Sequence, residues 1–173
     1  MINEGERIKA QLARMAPIAR SVDIILADGG STDGSMAEAG LRSCGVRALL
    51  VKTGPGRLSA QMRMALAYAL DEGYKGVILI DGNNKDDPSG IDRFVERLDQ
   101  GFDHIQGSRF IKGGQAINTP AVRYLAIRLI HAPLVSIGAR HWYTDTTNGF
   151  RAYSARLLKI GRASCRERVC QYV

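Results

Sequence analysis

The sequence predicts an α/β fold, a mostly parallel sheet with helices on both faces. Two observations carry this. Between residues 5 and 110, segments with apolar residues at helical spacing alternate with short unbroken apolar runs. Most of those runs end in glycine and acidic residues, the pattern of buried strands whose carboxyl ends carry polar loops. With 173 residues and 45% hydrophobic content, the chain is long enough for one domain with its own core.

The elements follow in order. Ile8, Leu12 and Met15 mark a first helix over residues 5–19, and Val22, Ile24, Ile25 and Leu26 form the first apolar run. Residues 31–44 are expected to be helical, capped by Ser31 or Thr32 and stopped at Gly45. A strand is expected over 46–54, and then a helix marked by Leu58, Met62, Leu66 and Ala69 that closes at Gly73. GVILIDG (76–82) is the clearest strand. Ile91, Phe94, Val95 and Leu98 define the next helix, and 103–110 the next strand. No repeat or linker divides the chain.

Composition narrows the function classes. The apolar stretch 121–138 is interrupted by Arg123, Arg128, His131 and Pro133, which excludes a transmembrane span, and the charged opening residues carry no secretory signal. Cys44, Cys165 and Cys170 form neither a disulfide framework nor a metal-ligand pattern, so a reducing, cytoplasmic setting is expected. The net charge of +7 favours anionic partners. Nucleic acid is not among those expected, because Lys and Arg are dispersed and no aromatic platform accompanies them. Residues 162–173 hold three arginines and one glutamate in no clear period, and they are expected to be a non-native tail.

Three strand ends hold the polar chemistry. ADGGSTDGS (27–35) places Asp28 and Asp33 among small residues, as either a tight turn or a binding loop does. Neither G-x-G-x-x-G nor G-x-x-x-x-G-K-[ST] fits this segment or 52–59, which argues against dinucleotide and P-loop folds. IDGNNKDDP (80–88) projects Asp81 and Asn83 to one side of an extended backbone. Their oxygens are hard ligands suited to Mg²⁺ or Mn²⁺ bridging to phosphates, although an acidic turn capping the next helix has the same composition. In 143–154, Asp145 suits a general base and Arg151 a phosphate clamp, and a surface hairpin would read the same way.

Taken together, these segments resemble the family-2 glycosyltransferases of the GT-A fold, most closely the branch with dolichol-phosphate mannosyltransferase and polyprenyl-phosphate glycosyltransferases. INEGERI (2–8) is similar to the end of that family's P-x-Y-N-E motif, and 27–35 to its D-D-G-S-x-D-G-T element. Residues 80–88 are similar to its D-A-D-x-x-x-D-P element, QGSRFIKGG (106–114) to G-[ST]-R-[FY]-x-x-G-G, and 145–154 to D-x-[TS]-[NSG]-G-F-R. The resemblance implies a GT-A type, Rossmann-like sheet lacking its first strand, with residues 1–161 as a catalytic domain truncated at both ends. It implies Asn3, Glu4 and Asp28 beside the nucleotide of a nucleotide-diphosphate sugar, with Asp81 and Asn83 holding Mg²⁺ or Mn²⁺ against the diphosphate. Arg109, Arg123 and Arg151 are the implied phosphate contacts, on donor or acceptor. The chain departs from the family pattern at Gly29, Asn83 and Lys85, where a second Asp, an Asp and a polar side chain are usual.

Residues 119–141 read as a basic amphipathic helix, with Val122, Leu125, Leu129 and Ile130 on one side. Such a helix either rests on an anionic membrane surface or packs on the sheet. The first alternative places the protein at the inner face of the membrane, with polyprenyl phosphate as the acceptor and inversion at the sugar. A polyprenyl phosphate is already an anion and needs positioning rather than a base, whereas a sugar hydroxyl in a glycan acceptor would need one, for which Asp145 is the candidate. Transfer to a glycan hydroxyl, a nucleotidyltransferase and an inactive fragment are the alternative readings.

Overall fold

A computed structural model describes residues 1–114, 116 and 119–165, apart from the side chains of Arg123 and of residues 162–165. Among the described residues five strands alternate with helices, the first four of them predicted by the sequence. They are β1 (Ile24–Asp28), β2 (Val46–Val51), β3 (Gly76–Leu79), β4 (His104–Gln106) and β5 (Arg151–Ser154). Helices α1 (Glu6–Met15), α2 (Glu38–Ser43), α3 (Leu58–Asp71) and α4 (Ile91–Asp99) interleave with the first four. The arm α5 (Ala121–Ala126) and α6 (Ala132–Ala139) precedes β5, and α7 (Ala155–Cys165) follows it.

The strands form two hydrogen-bonded groups. β1 and β2 pair in parallel, with Asp28 opposite Val51. β5 lies between β3 and β4 and runs antiparallel to both, so those two point the same way. The sequence did not predict β5, which among the described residues is the strand that pairs antiparallel to its neighbours. Ala152, at its centre, is 0% exposed.

One face of the strands carries α1, α2 and α4. Their Ile8, Leu12, Met15, Leu41, Ile91 and Phe94 join Ile24, Leu26, Phe150 and Ala152 in a single core. α3 packs against both β1 and β3 and also touches α7, which lies over β5. Between β1 and β3, beneath α3, the fold holds an elongated cavity of about 1220 Å³.

α2 is shorter than expected. Residues 31–37 are irregular, because the Asp28 carboxylate collects the backbone N–H groups of Gly30 and Ser31 and the Asp33 carboxylate that of Ser35. Those donors would otherwise open the helix, and local side-chain bonds compete with it. No side chain caps α2 at Ala37, so the expected Ser31 or Thr32 cap is not formed. α7 crosses the boundary drawn at residue 161, and 166–173 lie outside the described residues.

In the arm, a wider turn over Ile127–His131 joins α5 to α6. Pro133 supplies no backbone N–H for a regular turn there, which accounts for the widening. Only Ile127, Ala132 and Ser136 of the arm are buried among the described residues. Val122, Leu125, Leu129 and Ile130 are all more than half exposed, so the predicted apolar face does not pack on the sheet.

Candidate functional site

The loop after β1 is held from within. Asp28 is buried at the strand end, and its carboxylate accepts from the Gly30 and Ser31 amides at 2.9 and 2.7 Å and from the Ser31 hydroxyl at 2.6 Å. Burial pushes the Asp28 carboxyl up, but these donors outweigh it and hold the group below its ordinary value. Asn3 fastens the chain's opening residues to the same loop. Its side-chain oxygen accepts from the Thr32 amide at 2.8 Å, and its own amide donates to the Ser31 hydroxyl at 2.9 Å.

Glu4 is less satisfied. Its Oε2 is buried with no hydrogen-bond partner, and Arg7 approaches only to 3.5 Å, an ion pair without hydrogen-bond geometry. A buried acceptor in this state is costly unless a donor reaches it. Glu4 lines the cavity, so a ligand hydroxyl or amine there would satisfy it.

After β3, Asp81 projects toward the turn before β5. A methyl group on Gly149 would stand 2.9 Å from Asp81 Oδ2, so a side chain there would force the Asp81 carboxylate to shift. Asp86, which sequence reasoning left unassigned, shares the site. Burial and the negative charge of Asp81 push its carboxyl up, against the opposing pull of Arg109. The side-chain oxygen of Asn83 accepts from the Lys85 amide at 3.1 Å. The loop is braced from α1: Gln11 accepts from the Asn84 amide at 2.8 Å, and Arg14 bonds Asn84 and Asp87 at 2.9 and 3.0 Å. Asp87 caps the short turn at Pro88–Gly90 through Ser89.

The third polar segment, 143–154, meets the loop after β4 through an ion pair. Arg109 donates from Nε to Asp145 Oδ2 at 2.7 Å and from Nη2 to Oδ1 at 3.1 Å. The Asp145 side chain is fully enclosed, while that of Arg109 is 24% exposed. Thr147 gives Asp145 both its amide and its hydroxyl, each at 3.1 Å, and the Arg109 amide adds a bond of 3.3 Å. Burial pushes the Asp145 carboxyl up, yet Arg109 and these amides hold it below its ordinary value. The acceptor positions of Asp145 are thus occupied by Arg109 and Thr147.

Arg151 spends two nitrogens on its own turn, donating to the carbonyls of Asn148 at 2.8 Å and Thr146 at 3.1 Å. Arg123 lies in α5, and its side chain is outside those described. The arm is tied to the site where His131 Nδ1 bonds the Thr146 hydroxyl and where the Tyr143 amide donates to Ser136.

Glu4, Asp81, Asn83, Thr147, Gly149 and Arg151 share one cavity wall, with the Arg109–Asp145 pair adjoining through Thr147. Among the described residues no three His, Cys, Asp or Glu groups converge as a metal cage. The donor set nevertheless fits Mg²⁺ or Mn²⁺ of the kind that takes one or two carboxylates and completes its shell with substrate phosphates. Asp81 and Asp86 are close enough for mutual repulsion, which a cation would relieve. Sequence reasoning missed Asp86, Thr147 and Gly149. The paired acids before Pro88 and the N-G turn were the available signals.

No protein-family model matches the chain. It is 26% identical over 163 residues to polyprenol monophosphomannose synthase from Mycolicibacterium smegmatis, covering 91% of this chain and 60% of that protein. It shares its fold with glucosyl-3-phosphoglycerate synthase from Mycobacterium tuberculosis, at TM-score 0.62 and 19% identity over 90% of this chain and 55% of that one. The structure of that synthase with Mn²⁺, uridine diphosphate and glucosyl-3-phosphoglycerate aligns with TM-score 0.60. The chain thus spans 55–60% of the length of these proteins.

Proposed function

We propose that this chain, whose resemblance to the family-2 glycosyltransferases of the GT-A fold holds in both sequence and fold, is the nucleotide-sugar core of an enzyme that glycosylates polyprenyl phosphate with inversion. The observation that carries the proposal is the joining of an acidic strand end, Asp81 and Asp86, to a guanidinium held in a fixed plane by Asp145. A diphosphate needs both charge neutralisation and a planar cationic partner, and this corner offers the two side by side.

In this reading Glu4 accepts from the nucleoside through its unpartnered Oε2, while Asn3 and Asp28 keep the surrounding loop in shape. Asp81, with Asp86 beside it, holds Mg²⁺ or Mn²⁺, whose chemistry is to neutralise charge on the leaving diphosphate. Asn83 contributes less, since its oxygen is turned to Lys85. Arg109 presents its free edge to a phosphate oxygen. Arg151 acts at one remove by fixing the turn 146–148. Asp145 is a positioning residue, which suits an acceptor that is already an anion and favours polyprenyl phosphate over a glycan hydroxyl.

The arm supports the same acceptor. Val122, Leu129, Leu134, Ile137 and Trp142 are each between 65 and 80% exposed, with Arg128 and Arg140 among them. An apolar, basic surface tied to the site through His131 suits peripheral docking at an anionic membrane face. No helix among the described residues is long and apolar enough to cross a membrane.

The test is transfer from nucleotide-diphosphate sugars to polyprenyl phosphate in detergent, with the product's anomeric configuration read by NMR. Release of nucleoside diphosphate and an inverted lipid-linked sugar are expected, both dependent on Mg²⁺ or Mn²⁺. Transfer to glycan hydroxyls alone would overturn the acceptor, and full activity in chelator would overturn the metal.

A further inference from the structure

α5, the widened turn and α6 pack chiefly on one another, and most of their large apolar residues face solvent. Among the described residues, every hydrogen bond and ring contact from 120–141 to the rest of the chain falls on Phe110 or on residues 143–146. Those two segments flank the Arg109–Asp145 pair.

The contacts form three paths to one guanidinium. Tyr124 of α5 sets its ring edge-on to Phe110, with centroids 5.2 Å apart and planes at 81°, a favoured aromatic geometry. The Phe110 ring in turn carries the Arg109 guanidinium, whose carbon lies 5.4 Å from the centroid, within range of cation–π attraction. His131 closes the widened turn and bonds the Thr146 hydroxyl. The next residue, Thr147, accepts from Arg109 Nη2 at 2.7 Å and gives its amide to Asp145. Ser136, buried in α6, accepts from the Tyr143 amide at 2.8 Å. Thr144, which follows, bonds Ser108 beside Arg109 at 2.7 Å.

We propose that the arm sets Arg109: when it seats on an anionic lipid surface, Phe110 and the turn 146–147 stiffen and fix the guanidinium, with Phe110, Tyr124 and His131 as positioning residues. This rests on the reading of the arm as a lipid-facing surface. An element held by a few side-chain contacts opens locally at little cost, so in water the arm leaves Arg109 free to change orientation. A surface that covers Leu129, Leu134 and Ile137 and pairs with Arg128 and Arg140 restrains the arm, and its ties then restrain Arg109. A phosphate arriving at an ordered guanidinium pays less of the ordering entropy, so the two binding events reinforce each other without a change of fold. The corner therefore grips phosphate best where a lipid acceptor lies.

The test is amide exchange with vesicles of phosphatidylcholine alone or with added phosphatidylglycerol, in the absence of nucleotide and of polyprenyl phosphate. The amides of Arg109 and Thr147 both donate to Asp145 and report on the corner directly. In the unsubstituted chain, phosphatidylglycerol vesicles are expected to slow their exchange by about three- to tenfold, the worth of one ring–cation contact held closed, and phosphatidylcholine vesicles to leave it unchanged. Phe110→Leu and His131→Leu should abolish the slowing while sedimenting with the vesicles as before. His131→Asn, whose amide nitrogen falls near the place of Nδ1, should recover it. Exchange along β1, at 24–28, checks that each variant is folded. Vesicle-bound protein whose Arg109 and Thr147 amides exchange at the free rate would overturn the inference, and so would equal slowing in the unsubstituted chain and both Leu variants. Absence of vesicle binding overturns it together with the lipid-facing reading of the arm, whereas failed sugar transfer to polyprenyl phosphate overturns the acceptor alone.

Discussion

Replacing Asp145 with Asn separates a positioning role from a proton-accepting one. The side chain is fully enclosed and carries two bonds from the Arg109 guanidinium, one from the Arg109 amide and two from Thr147. Asn is nearly isosteric but neutral, and it must present an NH₂ to one of Arg109's donors. Removing one partner from a buried ion pair costs about 3–5 kcal/mol, and a partner that reaches water recovers part of that. Arg109 is 24% exposed, so about 2–4 kcal/mol of stability is expected to be lost. The effect on catalysis should be smaller than loss of a base. A guanidinium that has lost its plane still carries its charge, so transfer to polyprenyl phosphate should fall about 10- to 100-fold, against up to ~10⁴ for a general base. The assay is a double-mutant cycle of Asp145→Asn with Arg109→Gln, scored by kcat/KM. If Asp145 acts through Arg109, Asp145→Asn should cost little further kcat/KM once Arg109→Gln has been made. The pH profile adds an independent readout, because the positioned carboxylate lies below its ordinary value and stays ionised through neutrality. A loss of several thousandfold that adds fully to that of Arg109→Gln would refute the assignment.

Two glycine substitutions should part stability from activity. Gly149→Ala sets a methyl group 2.9 Å from the Asp81 carboxylate and should depress metal-dependent turnover while moving Tm little. Gly107→Ala sets one 2.8 Å from the Phe150 carbonyl, between backbones, and should cost about 1–3 kcal/mol in a denaturation experiment. Tyr74 donates to Asp23 at 2.6 Å and is pushed up to about 12 by that bond. A raised folded-state value means its contribution is fully present below the phenol's unfolded value of about 10 and is lost as pH rises through the folded one. Denaturation midpoints measured from pH 8 to 12 should therefore decline more steeply for the wild type than for Tyr74→Phe. Parallel curves would sink that account.

The strands legible in the sequence were those whose residues are apolar and consecutive. β1, β2 and β3 announced themselves as short apolar runs, although only β1 holds fully buried residues. β5 did not, since its four residues include Arg151, Tyr153 and Ser154, and its deepest residue is an alanine. Its place between β3 and β4 is a tertiary fact that Gly107 and Gly149 record only as close approaches. The segment after Asp28 looked helical in composition, and the side chains of Asp28 and Asp33 diverted its amides.

The candidate site divides along the same line. Residue types that chemistry demands were visible, so Asp81, Arg109 and Asp145 could be singled out from the motifs that hold them. Which group acts and which group positions was not visible, because that depends on partners up to 36 residues away in sequence. An isolated Asp in a polar turn suits a base; the same Asp beneath an arginine and two threonine donors has no lone pair in a free direction. Asp86 shows the converse. It looked like one more turn acid, yet its burial beside Asp81 makes it the group whose charge a bound cation would most relieve. Neutralising Asp86 should therefore weaken metal dependence more than removing Asn83, whose oxygen the fold has already turned toward Lys85.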